Sequence, residues 1–310
     1  MKVLFFALAL LLSRELQEQI EADREARDRE LRSPQFASPL TAMDRAMIEL
    51  GHGVFLSECS GKVRFTEDDC QPLLEIRFEG RRFLAKPLGE TRGLWGPATA
   101  FRRELSIVPG HSDIRGRLLL TDPEQAQGLA LFFSLQGGLG RVMLHDTRSP
   151  TLTAFSGLDY YPVDPRYRFV VPLQENAERE VVEIATTRGS TKELKRLGTV
   201  TFDLPEGRCQ LTVFVPLDSP RDYFVPFRDS TNGEETYLMG RYLYLTEGPE
   251  PGTFVLDFNR AFNPYCAYSP LYDCPYPPPE NHLDARIPAG EKRFKRDWRR
   301  SRARSADTDE

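Results

Sequence analysis

The chain has 310 residues, with 41 lysines and arginines against 46 aspartates and glutamates, a formal charge of −5. That length can bury one large or two medium cores without staples, and 24 prolines with 20 phenylalanines favour short strands and turns over long helices. Eight basic residues against Asp297 fall between Lys292 and Arg304, a net +7, so the remainder stands at −12. Such an acidic body excludes nucleic acid as an expected partner, because it offers few cations to replace phosphate counterions.

The N-terminus opens MKVLFFALALLLSRE, one lysine, an apolar run from Val3 to Leu12 and an abrupt switch to charge. This is the grammar of a secretory signal peptide over residues 1–13, and the run is too short to cross a hydrocarbon core of about 30 Å. The expected location is therefore extracytoplasmic, periplasmic or secreted, with no transmembrane span; a cytoplasmic chain whose apolar end docks on the domain is the alternative. Leu16–Arg32 is rich in helix formers, with opposite charges four apart at Asp23/Arg27, Arg24/Asp28 and Glu25/Arg29. It predicts a solvated helix that touches the body through Leu16, Ile20 and Leu31. In SPLTAMDRAMIELG, Ser38 as cap, Pro39 in the first turn, Met43, Met47 and Leu50 at helical spacing and Gly51 as stop predict a second short helix. Residues 14–51 thus form a helical N-terminal segment.

From Val54 the hydrophobic period changes to two. VFLSE, KVRFT, LLEIRF, RFLAK, LSIV, RLLL, LALFFSL and RVMLHD read as strands of a β-rich subdomain over 52–150, with turns at Glu79-Gly80 and Gly137-Gly138. A second series, YRFVVPL, EVVEIATT, GTVTFDL, CQLTVFVPL, YFVPF, ETYLMGRYLYL and TFVLDF, continues through a second β domain over 151–292 that carries a proline-rich loop. No helical crossover units separate these runs. The fold class is mainly β, an antiparallel sandwich or partly open barrel, with the two short N-terminal helices beside it. Trp95, in a loop punctuated by glycine and proline, is expected to plug the end of a sandwich, and 293–310 to be a disordered basic tail.

Two cysteine pairs enclose short segments: Cys59 and Cys70 around a strand, Cys266 and Cys274 around CAYSPLYDC. In an exported chain both pairs are disulfide candidates, and Cys209 is left as a small buried residue; in a reducing compartment all five would be packed thiols. No CxxC spacing or histidine pair supports a metal site. Nor is there a GxGxxG, GxxxxGK[ST], GxSxG, HExxH or DxDxDG pattern, so no cofactor is expected.

Carboxylates, amides, arginines, tyrosines and prolines concentrate instead between Phe227 and Glu291. If ETYLMGRYLYL is a strand, Glu235, Tyr237 and Arg241 share one face, and in LDFNRAFNP the same alternation puts Asp257 beside Asn259. Asp229 crowds the Asn232-Gly233 turn, Arg260 and Asn263 follow the second strand, and a proline-stiffened loop carrying Tyr265 is positioned to roof the surface. The candidate ligand-binding residues are therefore Asp229, Glu235, Tyr237, Arg241, Asp257, Asn259, Arg260, Asn263 and Tyr265.

Three blocks, FSGLDYYPVDPRYRF, FRDSTNGEETYLMGRYLYL and LDFNRAFNPYCAYSPLYDCPYPPPENHLDARIPAGEK, resemble in order and spacing the uncharacterised prokaryotic family catalogued as domain of unknown function 1684. The resemblance spans Leu152–Lys292, and SPLTAMDRA is similar to that family's opening segment. It implies a β-rich fold and repeated use of these polar positions, and it brings no activity. Several readings stay open: a binding domain for a small polar or anionic molecule, with Arg241 and Arg260 as anion partners; a hydrolase in which Glu235 and Asp257 divide acid and base roles; and a structural polar network, with or without calcium or magnesium on Asp229, Glu235, Asp257 and Asn263.

Overall fold

Alternating apolar residues dominate what the chain builds. A computed structural model describes residues 2–33, 38–66, 70–88, 105–108, 117–119, 128–217 and 219–295. Trp95 and the tail beyond 295 lie outside the described residues. The chain divides into two units, one of residues 1–28 and 156–296, the other of residues 29–155 and 297–310.

Among the described residues of the second unit every strand pairing is antiparallel. One sheet has the order β1-β9-β8-β7, from Ala42–Ile48 (β1), Leu139–Asp146 (β9), Leu129–Gln136 (β8) and Arg117–Leu119 (β7). The other runs β3-β2-β4-β5-β6, from Lys62–Thr66 (β3), Gly53–Cys59 (β2), Gln71–Glu79 (β4), Arg82–Pro87 (β5) and Leu105–Ile107 (β6). Both sheets feed one apolar cluster, in which Leu56, Ile76 and Phe83 from one meet Ile48, Phe133 and Val142 from the other. A short helix, Pro150–Thr153 (α2), starts from a Ser149 cap. Cys59 and Cys70 are joined by a disulfide, as their spacing suggested.

The predicted helix over 38–51 is instead β1. Its helical stripe would have buried Met43 and Leu50, yet these are 45% and 63% exposed, while Ala46 and Ile48 point inward at period two. Pairing with β9 from Ala42 to Ile48 outweighs the local helix signals, which are a weak prior. Ser38 caps no helix; its hydroxyl donates to the Leu31 carbonyl.

The first unit is a partly closed barrel. Its strands are Arg168–Glu175 (β10), Val181–Ala185 (β11), Thr191–Leu204 (β12), Gly207–Pro216 (β13), Tyr223–Phe227 (β14), Arg241–Glu247 (β15) and Thr253–Asp257 (β16). They follow the order β10-β16-β15-β14-β13-β12-β11, and β10 also pairs with β12 from Leu173↔Val200 to Glu175↔Gly198. That second pairing closes the ring. β12 is long enough to serve β11 through Thr191–Lys195 and β10 through Gly198–Val200, and its register against β13 shifts between the two stretches, at Arg196/Gly198. At Gly198 a Cβ would stand 2.2 Å from the Gln174 carbonyl oxygen, so the closure requires glycine.

Inward residues at period two fill the barrel: Val200, Phe202 and Leu204, Leu211, Val213 and Val215, Val225 and Phe227, Leu243 and Leu245. Phe258 plugs its middle, with ring centroids 5.4 Å from Phe202 and 5.2 Å from Phe227. Leu283, Ala285, Ile287 and Ala289 cover the same core from the C-terminal strap. Gly290 lets that strap pass, since a Cβ there would meet the Phe258 and Ala261 carbonyls at 2.6 Å.

Helix α1 (Lys2–Arg32) is longer than the sequence predicts. In the first unit it packs Ile20 fully into the barrel domain, and Asp28 accepts from the Leu158 amide at 3.1 Å. Among the described residues no helix is long and apolar enough to cross a membrane.

Candidate functional site

Three polar networks organise the barrel domain. The first starts where β15 begins. Arg241 is fully buried and donates to Asp229 Oδ1 and to the Ile287 carbonyl, both at 3.0 Å, as well as to the Ala289 carbonyl. Asp229 accepts in turn from Thr231 Oγ1 at 2.9 Å and the Ile287 amide at 2.9 Å. Asn232 closes the turn, accepting from the Asp229 amide and donating to Thr236 Oγ1 and the Tyr237 carbonyl. Residues 229–240 are therefore a hydrogen-bonded turn segment, and β15 starts only at Arg241; the expected strand face of Glu235, Tyr237 and Arg241 does not form.

Glu235 lies at the edge of this network. Arg286 grips it with both terminal nitrogens, and Tyr161 donates to Oε2 at 2.9 Å. The Arg286 contact holds the Glu235 carboxyl below the usual range, while burial and the same hydrogen bond push Tyr161 up to about 12. Tyr237 donates to Cys266 Sγ at 3.6 Å.

The second network surrounds the end of β16. Asp257 Oδ1 accepts from the Asn259 amide at 3.0 Å and from Asn259 Nδ2 at 2.9 Å, capping the 3-10 turn Phe258–Arg260. The two residues meet through this cap, not through strand alternation. Asn259 is locked further by both backbone polar groups of Asp164. Asp257 Oδ2 is buried without a hydrogen bond, flanked at 3.7 Å by Arg168 and Arg260. Arg260 reaches on to Asp23 of α1.

The third network is centred on Glu291, which is fully buried. It accepts from the Asn263 amide at 2.9 Å, Asn263 Nδ2 at 2.6 Å and the Tyr268 hydroxyl. Burial raises its pKa above the ordinary glutamate value, with Arg27 pulling the other way.

Between α1 and this end of the barrel lies a cleft of about 300 Å³. Ile20, Tyr160, Tyr244 and Phe262 supply apolar and aromatic wall, the last two stacked with centroids 5.8 Å apart. Arg24, Arg27 and Arg260 supply guanidinium groups, with Asp23 the one acid among the lining residues. Arg24 stands 4.5 Å over the Tyr160 ring and donates to the Asn259 carbonyl, while its Nε has no partner. Burial lowers the Arg24 pKa, opposed first by Tyr160. Arg27 stands 5.1 Å from the Phe262 and Tyr265 ring centroids and donates to the Asn263 carbonyl.

Of the nine residues expected from sequence, Asn259 and Arg260 line the cleft; Asp257 and Tyr265 touch residues that do. Asp229, Arg241 and Asn263 are committed to buried networks. Glu235 and Asp257 have different hydrogen-bond partners and no shared one. Among the described residues no group of three or more His, Cys, Asp or Glu is placed to hold a metal ion. The sequence reading missed Arg24, Arg27, Tyr160 and Tyr244. Arginines three apart beside Ile20 were the available signal, masked by the charge pattern of a solvated helix. The expected Cys266–Cys274 disulfide is corrected: both carry free thiols, held together by hydrogen bonding, with the Cys266 amide donating to Cys274 Sγ at 3.3 Å.

No curated protein matches the chain. Among solved structures, the uncharacterized protein from gene locus rrnAC0354 of Haloarcula marismortui is 37% identical, over 45% of this chain and 78% of that one, with a TM-score of 0.39. Residues 153–292 match the family described as "Protein of unknown function (DUF1684)", a range that holds the barrel residues of all three networks and the barrel wall of the cleft but not α1 with Asp23. Through that domain, the chain belongs to the DUF1684 family.

Proposed function

We propose that this protein is an extracytoplasmic binding protein for a small anionic molecule with a flat apolar body, held in the cleft between α1 and the barrel. The observation that carries this reading is the lining itself: three arginines against one aspartate around aromatic walls. Guanidinium groups make strong charge-assisted hydrogen bonds to carboxylate or phosphate, and a cavity of about 300 Å³ sits at the small end of ligand pockets. Arg24, Arg27 and Arg260 bring guanidinium groups to the lining, while rings at Tyr160, Tyr244 and Phe262 offer stacking faces. Export is supported by the apolar run Val3–Leu12 and by the Cys59–Cys70 disulfide, a bond that persists in oxidising compartments.

The test is thermal melting with benzoate, 4-hydroxybenzoate and phenyl phosphate, each beside its uncharged analogue. A ligand at about 100 times its Kd should stabilise the fold by about 2.7 kcal/mol, a shift of several degrees. Equal shifts from the uncharged analogues, or none from the anions, would remove the reading.

A further inference from the structure

The cysteine pair in the proline-rich loop is placed for chemistry. Cys266 is half-buried on a 3-10 turn, Tyr265–Ala267, whereas Cys274 is buried. The Cys266 amide donates to Cys274 Sγ at 3.3 Å, and the Tyr237 hydroxyl donates to Cys266 Sγ at 3.6 Å. Cys274 is anchored from behind by Thr187, whose Oγ1 accepts from the Cys274 amide at 3.1 Å and whose own amide donates to the Cys274 carbonyl. Cys266 is thus the more exposed of the two cysteines and its sulfur is hydrogen-bonded, while its amide holds the buried Cys274 sulfur beside it. Neither cysteine belongs to the lining of the cleft.

We propose that Cys266 and Cys274 form a redox-active dithiol, with Cys266 as the attacking sulfur, Cys274 as the resolving sulfur and a low-molecular-weight disulfide as the reaction partner. In the first step the Cys266 thiolate attacks one sulfur of the small disulfide. A mixed disulfide forms, and the departing thiolate takes up the proton that Cys266 released. In the second step the Cys274 sulfur, giving up its proton, attacks Cys266 Sγ; the mixed disulfide breaks and the second small thiol leaves. Two electrons pass from the protein dithiol to the small disulfide, which ends as two thiols.

The electrostatics agree with this division of roles. The hydrogen bond from Cys274, aided by Tyr237 and Thr187, holds the Cys266 thiol below its ordinary pKa, whereas that same hydrogen bond and burial push Cys274 up. Cys209 has no such support, and burial raises its pKa. An accessible, low-pKa cysteine beside a resolving partner is the arrangement that reacts.

The experiment uses the full chain. After mild reduction, iodoacetamide labelling at neutral pH is followed by peptide mass spectrometry, and separate samples are equilibrated in glutathione buffers of graded ratio. Cys266 is expected to label at least roughly tenfold faster than Cys209. The Cys266 and Cys274 peptides should pass from dithiol to disulfide within the graded series. Cys274→Ser should trap one glutathione on Cys266, and Cys266→Ser should leave Cys274 unmodified. Labelling of Cys266 no faster than Cys209, or a pair that stays dithiol or stays disulfide at every ratio, would overturn the proposal even if the variants fail to fold.

Discussion

Arg241 donates to Asp229 at 3.0 Å with neither side chain exposed to solvent. The pair joins the turn at the head of β15 to the strap at Ile287 and Ala289, so it acts on the fold. Removing one partner leaves a buried charge uncompensated, which costs about 3–5 kcal/mol. Arg241→Ala and Asp229→Ala should each lower the urea midpoint by that equivalent. A loss below about 1 kcal/mol in either would remove the pair's structural role.

Phe258 fills the barrel between Phe202 and Phe227. Truncation of a buried phenylalanine costs about 3–5 kcal/mol through lost burial and the cavity left behind. Phe258→Ala should melt correspondingly early in calorimetry, with Phe258→Leu intermediate.

Glu291 gives a pH signature. Its folded pKa lies above the ordinary value of 4.5 because burial disfavours the carboxylate. Between those two pKa values the folded state binds more protons than the unfolded one, so stability falls as pH rises through the window above 4.5. Glu291→Gln should flatten that decline in urea melts taken at a series of pH values. An unchanged slope would assign the decline to other groups.

The Cys59–Cys70 disulfide closes a short segment, with a sequence separation of 11. By chain entropy its loss should cost about 3 kcal/mol. Replacing both cysteines by serine should show that loss in the unfolding of the second unit.

Much of the fold was legible because its signal is local. YRFVVPL, CQLTVFVPL and TFVLDF alternate along single strands, and Gly137-Gly138 makes the tight turn that glycine allows. Barrel closure was not legible, since the Leu173↔Val200 pairing joins distant segments and leaves no mark on either. The helix expected at 38–51 failed for the same reason: β9 decides the state of β1. At the site, sequence placed Asp257 with Asn259 correctly through the wrong geometry, a cap in place of a strand face. Arg241 was expected beside a ligand because burial of an arginine cannot be read from its neighbours in sequence. Arg24 and Arg27 escaped because only docking against Tyr160 and Phe262 distinguishes them from solvated helix charges.

Arg24 should matter more to binding than to folding. Its contacts are a 4.5 Å cation–π stack and a long hydrogen bond, worth about 0.5–2 kcal/mol together. Arg24→Ala should therefore fold with a modest loss in Tm while cutting the shift produced by phenyl phosphate to about half or less. A loss of stability with the ligand shift intact would reverse that assignment.

The most direct test is isothermal titration of the full chain with phenyl phosphate beside benzyl alcohol, repeated on Arg24→Ala and Arg260→Ala. The cleft account predicts saturable one-to-one binding of the anion, at least about tenfold weaker in each variant, a loss of about 1.4 kcal/mol, with benzyl alcohol not binding. Heat indistinguishable from dilution in the native chain, or an affinity unmoved by either substitution, would contradict it.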